Sequence, residues 1–221
     1  MEKKQIMLFL GSFLGIVAFL SLAYMLTSKP QATVFPELAK VSQSDHVKWS
    51  PNGSIILMEF SDFQCPGCGA LAGAIQSLQT DEQFVKEVKP HITFIYRHFP
   101  LDSIHPNARA AAQAAEAAGV QDAFFPMHDM LFARQSEWSK QDDPLPLFLE
   151  YAQALELDTK QFTADYHSQK VADAIQKDYQ SGIEAQVRGT PSLFLNGSAL
   201  RPPASAEALK ATLINAIENT K

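Results

Sequence analysis

The sequence predicts an α/β domain interrupted by a block of inserted α-helices and preceded by one apolar N-terminal helix. Three observations carry this. Short apolar runs at Ile55–Phe60, His91–His98 and Ser192–Leu195 read as buried strands. Segments with helical signals lie between and after them, and strands alternating with helices argue an α/β layer. Ile6 to Leu26 runs without a single charge.

The N-terminal run comes first. About 20 apolar residues span a bilayer core as a helix. This run is longer than the apolar region of a cleavable signal peptide, and no Ala-x-Ala site follows Leu26. Residues 1–27 are therefore expected to be an uncleaved signal anchor, with Lys3 and Lys4 cytoplasmic and the rest exported; a cleaved signal peptide is the alternative. Either puts the remaining chain in a disulfide-permissive space. Residues 28–45, with Pro30 and Pro36, read as a linker that holds the domain off the membrane.

The first strand, Ile55–Phe60, follows the Pro51-Asn52-Gly53 turn. A helix is expected from Cys65 to about Leu78, then the second strand. Helical signals continue over residues 103–186, with segments near 105–118, 122–134, 145–155, 159–167 and 170–186. A block of that size between strands is read as an inserted subdomain. The third strand ends in an Asn196-Gly197 turn, a short strand is expected near 199–201, and a helix over 205–219 closes the chain. The principal domain is thus expected over 46–102 and 187–221.

Composition excludes several functions. With 46% hydrophobic and 19% charged residues, the chain is globular rather than disordered. A net charge of −6 without a basic stripe argues against nucleic-acid binding. No flavin or nicotinamide fingerprint appears, so no cofactor is expected. The two cysteines, Cys65 and Cys68, are too few for a disulfide framework or a four-cysteine zinc site.

Cys65-Pro66-Gly67-Cys68 falls just after a strand, at a helix start. Pro66 suits the first helical position, which puts Cys65 at the N-cap, facing unpaired N–H groups and the positive end of the helix dipole. A thiolate is favoured there, so Cys65 is a good leaving group from a disulfide. Cys68, one turn in, can close a ring with it. Glu59, inside the apolar run, is costly to ionise and reads as a proton carrier for Cys68; an acid pointing out of a sheet edge is the alternative. Gly189-Thr190-Pro191 precedes a strand: either a simple turn, or a cis Thr190–Pro191 bond that sets the Thr190 backbone beside the cysteines to pair with substrate. His98 and His105 read as structural or exposed. Phe124, Phe125, Met127, Met130, Leu131 and Phe132 read as core, with some of them available to a peptide-binding surface.

LMEFSDFQCPGC, GTPSLFLNG, YRHFPLDSIHPNA and the inserted helices together resemble the thioredoxin superfamily, specifically its DsbA-like branch, over most of residues 45–221. The resemblance implies a thioredoxin-like fold with an inserted helical domain. It implies Cys65 as exposed nucleophile, Cys68 as resolving partner, Glu59 as buried acid and Pro191 as a cis-proline preceded by Thr190. It departs at Gly67, where strongly oxidising relatives often carry histidine, so a milder oxidant is expected. The expected activity is disulfide donation to reduced exported proteins, with reoxidation by a membrane redox partner. Three other readings remain open: a reductase or isomerase on the same fold, a copper or zinc carrier using both thiolates, and a peptide-binding chaperone with incidental cysteines. Residues 28–45 are too short for the separate dimerisation domain that isomerases of the superfamily usually carry.

Overall fold

The computed structural model describes residues 13–21, 25 and 33–220, in two compact units, Met1–Thr33 and Val34–Lys221. In the first, residues 13–21 are helical and their apolar side chains are exposed. Most of the predicted membrane anchor lies outside the described residues. Among those described, no helix is long and apolar enough to cross a membrane.

The second unit is built on a five-stranded sheet of order β1-β3-β2-β4-β5, with β1 His46–Trp49, β2 Ile55–Ser61, β3 Ile92–His98, β4 Ser192–Leu195 and β5 Ser198–Leu200. β2 runs parallel to β3; the other pairings are antiparallel. β2 is central and β3 wholly buried, which is why both read as continuous apolar runs. The Asn196-Gly197 turn links β4 to β5 with positive φ at both residues, 47° and 77°, as a two-residue hairpin of right-twisted strands requires.

The parallel pair is joined through helix α1, Pro66–Leu78. Its Gly67, Gly69 and Gly73 each cost about 1 kcal/mol of helix propensity. Tertiary burial of Cys68, Leu71, Ile75 and Leu78 on one face outweighs this. After β3 come α2 Ala108–Gly119, α3 Phe124–Ala133, α4 Gln135–Trp138, α5 Leu145–Ala154, α6 Thr159–Tyr166 and α7 Gln169–Glu184; α8, Ala206–Glu218, ends the chain. Asp158, Ser168 and Ser205 cap α6, α7 and α8 with side-chain oxygens that accept from backbone N–H groups. The alanines of α2 are buried almost all round, because the helix lies among α3, α5, α6 and α7.

Three features differ from the sequence reading. β1 carries no clean alternation: it is a half-buried edge strand whose Lys48 reaches out to Asp129. The stretch read as linker is docked from residue 34 onward. Val34 bridges Ser198, Phe35 N–H donates to the Gly197 carbonyl at 2.8 Å, and Leu38 is fully buried. Pro36, read as a linker signal, instead opens a short 3-10 turn. The inserted helices also do not pack as a body of their own: their apolar residues share one continuous core with β2, β3 and α1.

Candidate active site

Cys65 is the N-cap of α1, with extended backbone (φ −71°, ψ 123°), and Pro66 occupies the first turn. Cys65 is 9% exposed and Cys68 fully buried; the two are not bonded to each other. The Cys65 thiol donates to the Thr190 carbonyl at 3.4 Å, and the Thr190–Pro191 peptide bond is cis. Segments 125 residues apart in sequence thus meet at one sulfur. The helix supplies its N-terminus, and the turn before β4 supplies a carbonyl.

The two thiols are driven apart in acidity. The neighbouring Cys68 thiol, Thr190 hydroxyl and Cys68 and Gly67 backbone N–H groups all favour the Cys65 thiolate. They outweigh its partial burial and bring it down to about 5. Cys68 moves the other way: burial, the Cys65 thiolate and the Glu59 carboxylate all disfavour its charge, and the Asp62 N–H at 3.4 Å offsets little. The pair has the arrangement of one leaving group and one protected thiol.

Glu59 sits in mid-strand on β2, 2% exposed, opposite Tyr96 on one side and Leu193 on the other. Burial pushes its carboxyl up to about 7; the nearby Ser61 hydroxyl opposes this and the Cys65 thiolate adds to it. It therefore does not point out of a sheet edge.

Gly67 faces Pro191. A Cβ there would lie 3.3 Å from Pro191 Cδ and 3.7 Å from Cys65 Sγ, so any side chain at 67 would press on the proline and sit beside the thiolate.

Several residues of this site were not singled out from the sequence. Asp62 is buried, and its carboxylate accepts from the Gln64 and Leu101 N–H groups and from His105 Nδ1, at 2.7, 2.9 and 2.8 Å. Gln135, from the inserted helices, donates to the Phe63 and Cys65 carbonyls at 2.7 and 3.0 Å. Gln64 donates to the Ser139 carbonyl and accepts from the Asn107 N–H, each at 2.7 Å. These bonds hold the loop before α1 to the insertion. One signal was legible: four polar or charged residues in the run Glu59–Gln64 that a buried strand and its exit would not otherwise carry.

His98, unlike His105, lies away from this loop's bonds. Its Nε2 and that of His46 both donate to Glu116 Oε1, at 2.9 and 2.8 Å. Ligand atoms of His98, Glu116 and Asp178 lie within 4.8 Å of one another, close enough to share a metal ion, but they are already spent on each other and on the His98 N–H. Beside α1, Gly69, Ala72 and Gly73 line a cavity of about 130 Å³ with Asp129, Phe132 and Ala133 of α3. Phe132 is the residue of the apolar block that reaches this surface, while Phe124, Met127 and Leu131 are core.

Comparison with known proteins fits this geometry. The thioredoxin family matches residues 42–215. An Na(+)/H(+) antiporter NhaA 3 of Salinispora tropica is 35% identical over 80% of this chain, and an NhaA 1 of Salinispora arenicola 36% over the same share. The chain spans about a quarter of the length of these relatives, 25% in each case. Among solved structures, oxidised BdbD of Bacillus subtilis superposes with a TM-score of 0.68 at 17% identity, covering 83% of this chain and 97% of that one. Alpha-DsbA1 of Wolbachia pipientis gives 0.68 at 19% identity, covering 84% and 99%. The thiol-disulfide exchange protein alpha-DsbA2 of the same organism gives 0.65 at 19%, covering 79% and 88%. With the α/β sheet, the inserted helices and the cysteine pair at the start of α1 in place, the chain belongs to the thioredoxin family, and its structural neighbours are DsbA-like.

Proposed function

We propose that this protein is an extracytoplasmic thiol–disulfide oxidoreductase that donates the Cys65–Cys68 disulfide to reduced exported proteins. The observation that carries the reading is the split between the two thiols. Cys65, expected as an exposed thiol, keeps only 9% of its surface open; it is held at a helix N-terminus and drawn down to about 5, while Cys68 is fully buried and drawn up. A reduced form stabilised in this way makes the oxidised form reactive.

In the proposed cycle a substrate thiolate attacks Cys65 Sγ. The Cys65–Cys68 bond breaks, a mixed disulfide forms, and Cys68 leaves as a thiolate that takes a proton from Glu59. A second substrate thiolate attacks the substrate sulfur of the mixed disulfide and expels Cys65, the better leaving group. The substrate is oxidised by two electrons and the enzyme is left as a dithiol, which a membrane redox partner reoxidises. Thr190 and Pro191 present a carbonyl edge beside Cys65 against which an extended substrate can pair. From the inserted helices, read as residues 103–186, Gln135 holds the Cys65 carbonyl. An N-terminal anchor would keep the domain at the membrane face where the partner lies.

Equilibration in glutathione buffers of graded ratio tests the direction. A potential above about −180 mV is expected; a value near about −270 mV would make the protein a reductant fed with electrons instead. Cys65→Ser is expected to abolish exchange and Cys68→Ser to trap the mixed disulfide; full function in Cys65→Ser would sink the redox reading altogether.

A further inference from the structure

Three buried side-chain oxygens near Cys68 have no hydrogen-bond partner among the described residues: Glu59 Oε1, the Ser61 hydroxyl and the Tyr96 hydroxyl. They share one face of the sheet. Glu59 and Ser61 alternate along β2, and Tyr96 is the register partner of Glu59 on β3. Cys68 packs in the core on that face, with Leu57 and Tyr96. Ser61 and Tyr96 are 1% and 0% exposed, so solvent does not satisfy them. Each unpaired buried hydroxyl costs about 1–3 kcal/mol, and alanine and phenylalanine would fill the same space without that cost.

Ser61 is the polar neighbour that Glu59, Cys68 and Tyr96 have in common; its hydroxyl favours the charged form of each, from beyond the range of a formed hydrogen bond. Asp62, the next residue, is no substitute carrier, because its carboxylate is committed to Gln64, Leu101 and His105.

We propose that Ser61 is the proton relay between Glu59 and Cys68. As the Cys65–Cys68 bond opens and Cys68 becomes a thiolate, the Ser61 hydroxyl gives its proton to the Cys68 sulfur and takes one from the Glu59 carboxyl. Glu59 is left as a carboxylate, Ser61 is unchanged, and no electrons pass through either. Tyr96 closes the space beside them. This rests on the roles proposed above for Cys68 and Glu59.

The test is stopped-flow opening of the disulfide by dithiothreitol from pH 5 to 9, in the full chain and in Ser61→Ala, Ser61→Thr and Glu59→Gln. Ser61→Ala is expected to slow opening about a hundredfold, at the low end of general acid–base effects, and to flatten the inflection near pH 7 that protonated Glu59 gives. Ser61→Thr, which keeps the hydroxyl, restores both. The redox potential of Ser61→Ala stays at the wild-type value, because a relay alters the path and not the end states. If Glu59→Gln removes the inflection and Ser61→Ala leaves it intact, the relay is wrong and the role of Glu59 stands. If neither variant changes the profile, the role of Glu59 is itself wrong. A slow Ser61→Ala that Thr does not rescue, or one with a shifted potential, assigns Ser61 to packing and overturns the relay. Should Ser61→Ala not fold, the isosteric pair Ser61→Thr and Ser61→Val carries the same contrast.

Discussion

Two buried glutamates in this protein have opposite fates. Glu59, 2% exposed, has an oxygen with no partner among the described residues and is pushed up to about 7 by burial. Glu116, 9% exposed, is opposed by burial too, but the imidazoles of His46 and His98 outweigh it and hold the carboxyl down at about 2. Desolvation acts on both; what differs is whether the surroundings supply donors. A buried acid with its donors in place is a fastening between β1, β3 and α2. A buried acid without them is a carboxyl pushed up toward neutral pH beside a thiol. Burial marks both, and the partners tell them apart.

The largest expected effect lies at the fastening. Glu116→Ala leaves two imidazoles without their acceptor and is expected to cost about 3–5 kcal/mol, the range for breaking a buried pair. Urea denaturation at pH 7 checks this. The pH dependence has a definite sign. A carboxyl held below its ordinary value contributes stability that is present above about 4.5 and is lost as pH falls toward about 2. A loss under 1 kcal/mol would remove Glu116 from the structural side of the comparison.

Glu59→Leu is expected to act in the opposite direction. A carboxyl raised from 4.5 to about 7 weakens the fold increasingly as pH rises through that interval. Removing it should therefore stabilise the protein by roughly 3 kcal/mol at pH 8, with the gain shrinking toward pH 4.5, while disulfide exchange slows. Denaturation midpoints at the two pH values read this directly. Equal gains at both would show that the Glu59 carboxyl ionises in the folded protein just as it does in the unfolded chain.

The same distinction explains how far the sequence could be read. β2, β4 and α1 were legible because short apolar runs bounded by turns and a Pro at the first helical position are local signals. The cysteine pair and Glu59 were legible because an acid in the run IILMEF has no local reason to be there. Glu116 was not: in an alanine-rich helix a glutamate reads as an ordinary solvent-facing residue, and only β1 and β3 packing over α2 encloses it. Tyr96 and Ser61 were missed for a related reason, since a tyrosine in a strand and a serine at its end are unremarkable until register sets them around Glu59. Leu38 was hidden by the prolines around it. His105 read as structural or exposed; it bonds Asp62, and which acid it would meet depends on the loop fold.

The smallest expected effect asks whether the two glutamates are independent. A chain of contacts joins them: Tyr96 lies opposite Glu59, its ring meets that of His98 edge-on at 5.3 Å, and His98 bonds Glu116. Phe63 stacks on Tyr96 at 5.2 Å and leans over His98 at 5.9 Å. Among the described residues no hydrogen bond crosses from one cluster to the other along these contacts, because the Tyr96 hydroxyl is unpaired there and Tyr96 and Phe63 meet His98 through their rings alone. The stabilities of Glu59→Leu and Glu116→Ala should then add in the double variant to within about 0.5 kcal/mol at pH 7. A coupling above about 1 kcal/mol would mean that loosening His98 shifts the Tyr96 and Phe63 rings enough to change what Glu59 feels. In that case the fastening would tune the acid beside Cys68, and the two regions would have to be treated as one.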